Sequence, residues 1–195
     1  MAQKTAGVVS STVQATRTLL VLLVILGLIY PGATWLVGRL NANGADGSFL
    51  EYNGQVVGSK LIGQDTSDDP SLFHPRLSSG DYDGMSSGGS NLSPVGDELQ
   101  KTIEDTKKSI AAENNVDPAE VPADAVTASS SGLDPHISKE YAHIQIERVA
   151  KNSGLSVTKV EELVEKNSYG SILGFIGSPR VNVNTLNLDV VKAKG

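Results

Sequence analysis

The chain contains no cysteine, so disulfides and thiolate-bound metals are excluded, and the redox compartment is left open. It has no acidic residue before position 40. It also has only one long apolar run, Thr18 to Val37, which carries no charge. A bilayer core takes about 20 apolar residues in helical form to cross. One such run predicts one membrane helix, and a single helix cannot enclose an ion path, so this chain alone transports nothing. The motifs of several chemistries are missing too. There is no Gly-x-Ser-x-Gly elbow, no Gly-x-x-x-x-Gly-Lys-Ser/Thr loop and no His pair at helical zinc spacing among His74, His136 and His143.

What remains is a polar body. All 22 acidic residues follow position 40 together with 13 of the 16 basic ones, a formal charge of −9 for that part. Such a surface argues against nucleic acid, which selects basic patches, and against a body lying flat on anionic lipid. Lys4, Arg17 and the amino terminus precede the apolar run, and only Arg39 follows it closely. The positive-inside rule then predicts residues 1–17 in the cytoplasm, 18–37 across the membrane, 38–47 as a tether and 48–195 as an extracytoplasmic domain. A rival reading is a cleaved secretory signal with Leu19 to Ile29 as its apolar core and Ala42-Asn43-Gly44 as its cleavage site, releasing a binding protein or enzyme. Against it, apolarity resumes through Trp35, Leu36 and Val37, which a signal does not need.

Within the run, Gly27, Pro31, Thr34 and Gly38 recur at helical spacing and fall within about 60° of one another on an ideal helix. Small residues let helices approach closely in lipid, so this stripe is the candidate face for a partner helix. In the body, Asn53-Gly54 between apolar positions predicts a tight hairpin, and Lys60 to Ile62 a second short strand. Gln64 to Ser93 reads as irregular, pinned by Phe73, Leu77 and Tyr82. Ser93-Pro94 predicts a helix to about Glu113, Ser138 a helix ended by Gly154, and Ser156 or Thr158 a third helix. Alternation through Arg180 to Val190, with a phase change at Asn184-Thr185, reads as a bulged strand. The expected fold is α+β: one N-terminal transmembrane helix, then a single soluble domain with about three helices and a small, mainly antiparallel sheet.

Two clusters of small residues stand out, Ser86 to Asn91 and Ser129-Ser130-Ser131-Gly132. Small residues free backbone N–H groups to hold phosphate, but turn formation accounts for the same composition. The residues by themselves assign no catalytic group and no metal ligand.

Around these clusters the chain resembles the C subunit of Kdp-type potassium-transporting ATPases. The resemblance is carried by Tyr30-Pro31, Phe73-His74-Pro75-Arg76, Ser87-Gly88-Gly89-Ser90-Asn91-Leu92 and the run from Val121 to Ser138. It continues in Gly174-Phe175, Gly177-x-Pro179-Arg180-Val181-Asn182-Val183 and Leu186-Asn187-Leu188. It implies a non-catalytic accessory subunit of a plasma-membrane complex that hydrolyses ATP to import potassium. Its implied partners are a channel-like potassium-binding subunit, a P-type ATPase subunit and a small single-span subunit, besides membrane lipid. The implied roles are assembly and catalytic chaperoning of the hydrolysing subunit, with ATP and potassium handled by the complex. No Asp-Lys-Thr-Gly phosphorylation motif is present, so phosphoryl transfer belongs to a partner. An external body cannot reach cytoplasmic ATP. Only a cytoplasmic body would make Ser129, Ser130, Ser131 and Gly132 nucleotide-binding candidates.

Overall fold

The computed structural model describes residues 2–171 and 174–195. The side chains of residues 2–6, 42 and 43 lie outside that description, and with them Lys4 and the Ala42-Asn43 part of the cleavage-site reading. The chain divides into two units, Met1–Gly47 and Ser48–Gly195.

The first unit is helical almost throughout. Helix α1 (Ala2–Val24) runs into a wide π turn (Ile25–Ile29), then α2 (Tyr30–Gly38), a 3₁₀ turn (Arg39–Asn41) and a short α3 (Ala42–Ala45). Gly7–Asn41 is long and apolar enough to cross a membrane. The π turn has a cause. Pro31 has no N–H to give, and its ring presses on the carbonyl one turn back. The ladder changes register just before it, with the Tyr30 N–H donating to the Ile25 carbonyl, five residues back. The stretch read as a tether is instead helical through Ala45, and Arg39 pairs with Asp46 at 2.6 Å across its end.

The second unit opens with the hairpin β1 (Phe49–Tyr52) and β2 (Gln55–Ser59), antiparallel with a register shift at Leu50/Glu51. Asn53 and Gly54 have φ of 50° and 77°, the left-handed pair that a two-residue turn needs. Lys60 to Ile62 forms no strand. The carbonyls of Ser59, Lys60 and Ile62 are instead met by side-chain amides of Asn182 and Asn184 at 2.6–2.8 Å. The irregular stretch that follows is anchored by Phe73, which is wholly buried.

Helix α4 (Asp97–Asn114) begins later than Ser93-Pro94 suggests. A turn closed by the Gly96 N–H on the Ser93 carbonyl comes first, and Asp97 and Glu98 then oppose the positive end of the helix. Strand β3 (His136–Ile137) leads into α5 (Lys139–Ser153), capped by the Ser138 hydroxyl and ended at left-handed Gly154. Helix α6 (Val157–Lys166) is capped by Ser156, not Thr158. Strands β4 (Ser168–Tyr169) and β5 (Arg180–Asn182) complete an antiparallel sheet in the order β3-β5-β4.

The C-terminal segment departs most from the sequence reading. Only Arg180–Asn182 is strand; Val183–Lys194 is helix α7, with the Asn182 side chain accepting from the Thr185 N–H at 3.0 Å. Val183, Leu186, Asn187 and Val190 share its buried face at helical spacing, and the supposed bulge is the N-terminus of this helix. Among its described residues the body therefore carries four α-helices of eight or more residues, α4 to α7, around a core that includes Ile137, Ile146, Val149, Val160, Val181 and Leu186.

Candidate functional site

The fold brings the two small-residue clusters together. The Gly88 N–H and the Ser87 hydroxyl both donate to the Ser131 carbonyl at 2.9 Å, and the Ser78 hydroxyl donates to the Gly132 carbonyl at 2.7 Å. The approach requires glycine. A Cβ on Gly89 would stand 3.1 Å from the Ser130 carbonyl oxygen. A Cβ on Gly132, whose φ is +70°, would stand 2.9 Å from the Gly88 carbonyl oxygen.

Four N–H groups in and beside this loop are satisfied within the fold. Ser129 N–H donates to the Leu77 carbonyl, Gly132 N–H to the Ser129 carbonyl, Leu133 N–H to the Ser131 hydroxyl, and Asp134 N–H to the Ser129 hydroxyl, at 2.8–3.4 Å. Ser129 itself is buried. A phosphate cradle turns such groups outward. The geometry here is that of a loop junction held shut by its own backbone.

Beside the junction sits an ionic cluster. Arg76 pairs with Asp134 at 3.1 Å and also donates to the carbonyls of Thr127 and Ala128. Asp134 accepts from the His136 backbone N–H at 3.0 Å and lies 3.1 Å from its ring Nδ1. Burial pushes the Asp134 carboxyl upward, but the His136 hydrogen bonds and the charges of His136 and Arg76 outweigh it and hold it below the usual range. Asp124 accepts from both the N–H and the hydroxyl of Ser138, at 2.8 and 2.7 Å, tying the Val121 to Ser129 segment to the start of α5.

A second polar cluster, not legible as such in the sequence, grips Phe73 and His74. The Asn187 side-chain amide accepts from the Phe73 N–H and donates to its carbonyl, both at 2.8 Å. Gln145 does the same for His74, at 2.7 and 3.2 Å. Each amide substitutes for a neighbouring strand. Arg148 lies beneath, donating to the carbonyls of Pro70 and Leu72, to Asn114 and to Gln145 at 2.6–2.9 Å. Glu113 lies 2.9 Å from His74 and 3.5 Å from Arg148. Its carboxyl is held below the usual range first by the His74 hydrogen bond, with burial opposing and the His74 and Arg148 charges adding. Gln145 is fully buried, and among the described residues no buried side-chain polar atom lacks a partner. This cluster positions the Phe73-His74-Pro75-Arg76 segment and so delivers Arg76 to Asp134.

Among the described residues no three His, Asp or Glu side chains converge as metal ligands. In the first unit, Gly27, Pro31 and Thr34 are exposed, and a Cβ on Gly27 or Gly38 would meet nothing within 4 Å. The π turn underwinds the helix between Gly27 and Pro31, so Gly27 is rotated relative to Pro31, Thr34 and Gly38 compared with an ideal helix. The Thr34 hydroxyl donates to its own helix, to the Tyr30 and Pro31 carbonyls.

Residues 12–192 match the family KdpC, K+-transporting ATPase, c chain. A potassium-transporting ATPase KdpC subunit of Kineococcus radiotolerans is 48% identical over 180 residues, covering 90% of this chain and 91% of its own. Those of Caldanaerobacter subterraneus and Beijerinckia indica are 46% and 45% identical, covering 89% and 88% of this chain and 90% and 88% of their own. The match takes in the apolar helix, both small-residue clusters, the Arg76-Asp134 cluster and α7 together, and the chain belongs to the KdpC family, the c chains of K+-transporting ATPases.

Proposed function

We propose that this chain is the single-span accessory subunit of an ATP-driven potassium-import complex, required for assembly and acting as a catalytic chaperone for the subunit that hydrolyses ATP. One observation carries the reading: the family match runs from residue 12 to 192, through the membrane-length helix and the whole body. In this reading the N-terminus is cytoplasmic and the helix meets partner helices. The acidic body packs on the external face of a channel-like subunit. The closed junction of Ser129 to Gly132 with Gly88 and Gly89 is then a rigid scaffold and not a nucleotide cradle. The hydrogen bonds that the Ser129, Gly132, Leu133 and Asp134 N–H groups make within the fold support that assignment.

The chain has no cysteine, so one introduced thiol reports topology without background. Gln55→Cys lies on the exposed hairpin. A membrane-impermeant maleimide is expected to label it from outside intact cells. Labelling from the cytoplasmic side alone overturns the external body and returns Ser129, Ser130, Ser131 and Gly132 to the nucleotide reading. Co-purification from mild detergent tests the assembly role. The chaperone role predicts a higher KM for ATP in complexes lacking this chain, and an unchanged KM overturns it.

A further inference from the structure

The body of this protein holds three arginines, and two of them are committed inside it: Arg76 to Asp134 at 3.1 Å and Arg148 to Glu113 at 3.5 Å. Among the described residues, Arg180 has no carboxylate within ion-pair distance. Its guanidinium stacks on the ring of Tyr169 with 5.8 Å to the centroid. That is unexpected on a body of formal charge −9, where acids outnumber bases. A cation–π contact leaves the outer donors of the guanidinium free and holds its plane in place, so less freedom is lost when an anion arrives.

The surroundings specify the anion. Arg180 lines a cleft of roughly 390 Å³ with Arg76, His136, Ser138, Ser178 and Pro179. The two acids there, Asp124 and Asp134, are engaged by Ser138 and by Arg76 with His136. The cleft thus has satisfied carboxylates and one unsatisfied guanidinium. Five and four residues before Arg180 in the chain, Phe175 is 77% exposed and Ile176 about half exposed, and its ring partner Tyr169 is about half exposed. Arginine, tyrosine and large apolar side chains together have the composition of an interface hot spot, and a free phosphate or sugar would gain nothing from Phe175.

We propose that Arg180, braced by Tyr169 and preceded in the chain by the exposed Phe175 and Ile176, is an anchor for a carboxylate side chain set among apolar residues on a partner protein. This rests on the assembly reading above and names the chemistry of one contact within it. The test uses the full chain co-expressed with the other subunits and captured from detergent. Arg180→Glu is expected to lower the retained partner at least ~10-fold, with Arg180→Lys intermediate because it keeps the charge and loses the fork. Phe175→Asp, on an exposed loop away from the core, is expected to act in the same direction, and both variants should melt with the wild-type body. Wild-type retention by Arg180→Glu and Phe175→Asp overturns this inference alone. A wild-type chain that retains no partner overturns the assembly reading and this inference with it. If Arg180→Glu instead abolishes only sedimentation with phosphatidylglycerol vesicles and leaves retention intact, the anion is a lipid phosphate and the proposal falls.

Discussion

The two units of this chain are stabilised by opposite means. In Met1–Gly47 the described apolar side chains from Leu19 to Val37 are all substantially exposed, and the helix is held by its own backbone ladder. Among the described residues of that unit nothing covers them, so what surrounds the helix must. In Ser48–Gly195 a core of apolar side chains including Phe73, Ile137, Val149, Val181 and Leu186 is buried, and the irregular segments are held by buried amides and a guanidinium. The difference separates two kinds of information. A membrane helix is specified by local pattern and completed from outside. The body is self-sufficient, but its loops depend on side chains far away in the chain. A substitution in the first unit should therefore appear in assembly and not in folding, and a substitution in the polar clusters should do the reverse.

The strongest test of that contrast is Arg148→Ala. It removes the arginine donor from the carbonyls of Pro70 and Leu72 and from Asn114 in a buried site, while Gln145 keeps the His74 N–H. Each orphaned group costs about 1–3 kcal/mol, and removing one member of a buried ionic cluster about 3–5 kcal/mol. Glu113 is partly exposed, so the lower end applies. The melting midpoint of the detergent-purified chain, followed by near-ultraviolet circular dichroism, should fall by roughly 10 °C. Asn187→Ala should follow at about 1–3 kcal/mol, because it orphans the buried Phe73 N–H, while the Phe73 carbonyl keeps the Thr66 hydroxyl. Unchanged midpoints in both variants would mean that the amides decorate the loop without holding it.

These clusters mark the boundary of what the sequence discloses. The Asn53-Gly54 turn, the Ser138 and Ser156 caps and the Gly154 stop are legible because each acts on backbone within four residues of itself. Helix α7 is not. Asn184 and Asn187 interrupt its apolar stripe, leaving an apparent strand alternation through Leu186, Leu188 and Val190. They are buried because they reach backbone at Ser59, Ile62 and Phe73, and one-dimensional patterning contains no record of such partners. The small-residue clusters are legible as clusters. That they close on each other, through the Gly88 N–H and the Ser131 carbonyl, is a fact of the fold alone.

Gly132→Ala probes that closure at a smaller scale. A Cβ there meets the Gly88 carbonyl oxygen at 2.9 Å on a backbone with φ of +70°. A loss of about 1–3 kcal/mol is expected, a midpoint drop of a few degrees, with Gly88→Ala, where nothing lies within 4 Å, much milder. Equal effects would show that the two loops tolerate separation. Acid acts on the other cluster. Glu113 titrates below its ordinary 4.5 in the folded chain, so as pH falls the unfolded carboxyl takes up its proton first. The unfolded state then binds more protons, and the contribution present above about pH 4.5 is lost as pH falls through the folded value. Glu113→Gln should flatten the midpoint-against-pH curve in that window, and a curve of unchanged slope would assign the acid sensitivity to Asp65, Asp69, Asp134 and Asp189 instead.

The smallest expected effect on folding is the most informative about the helix. Gly27→Leu adds a side chain where nothing lies within 4 Å, so the unfolding free energy of the body should stay within about 0.5 kcal/mol of wild type. If Gly27 faces a partner helix, the same change should abolish co-purification, since backbone approach in lipid depends on small residues. The π turn sharpens the outcome. By rotating Gly27 away from the line of Pro31, Thr34 and Gly38, it divides the stripe into two faces that can be tested separately. Loss of assembly with Gly38→Leu and not with Gly27→Leu would place the contact on the lower face, beyond the turn. Loss with both would mean that one partner follows the helix around the turn. Loss with neither, together with an intact body, would leave the body alone to hold the complex, and the sharp division between a region completed from outside and one complete in itself would fail.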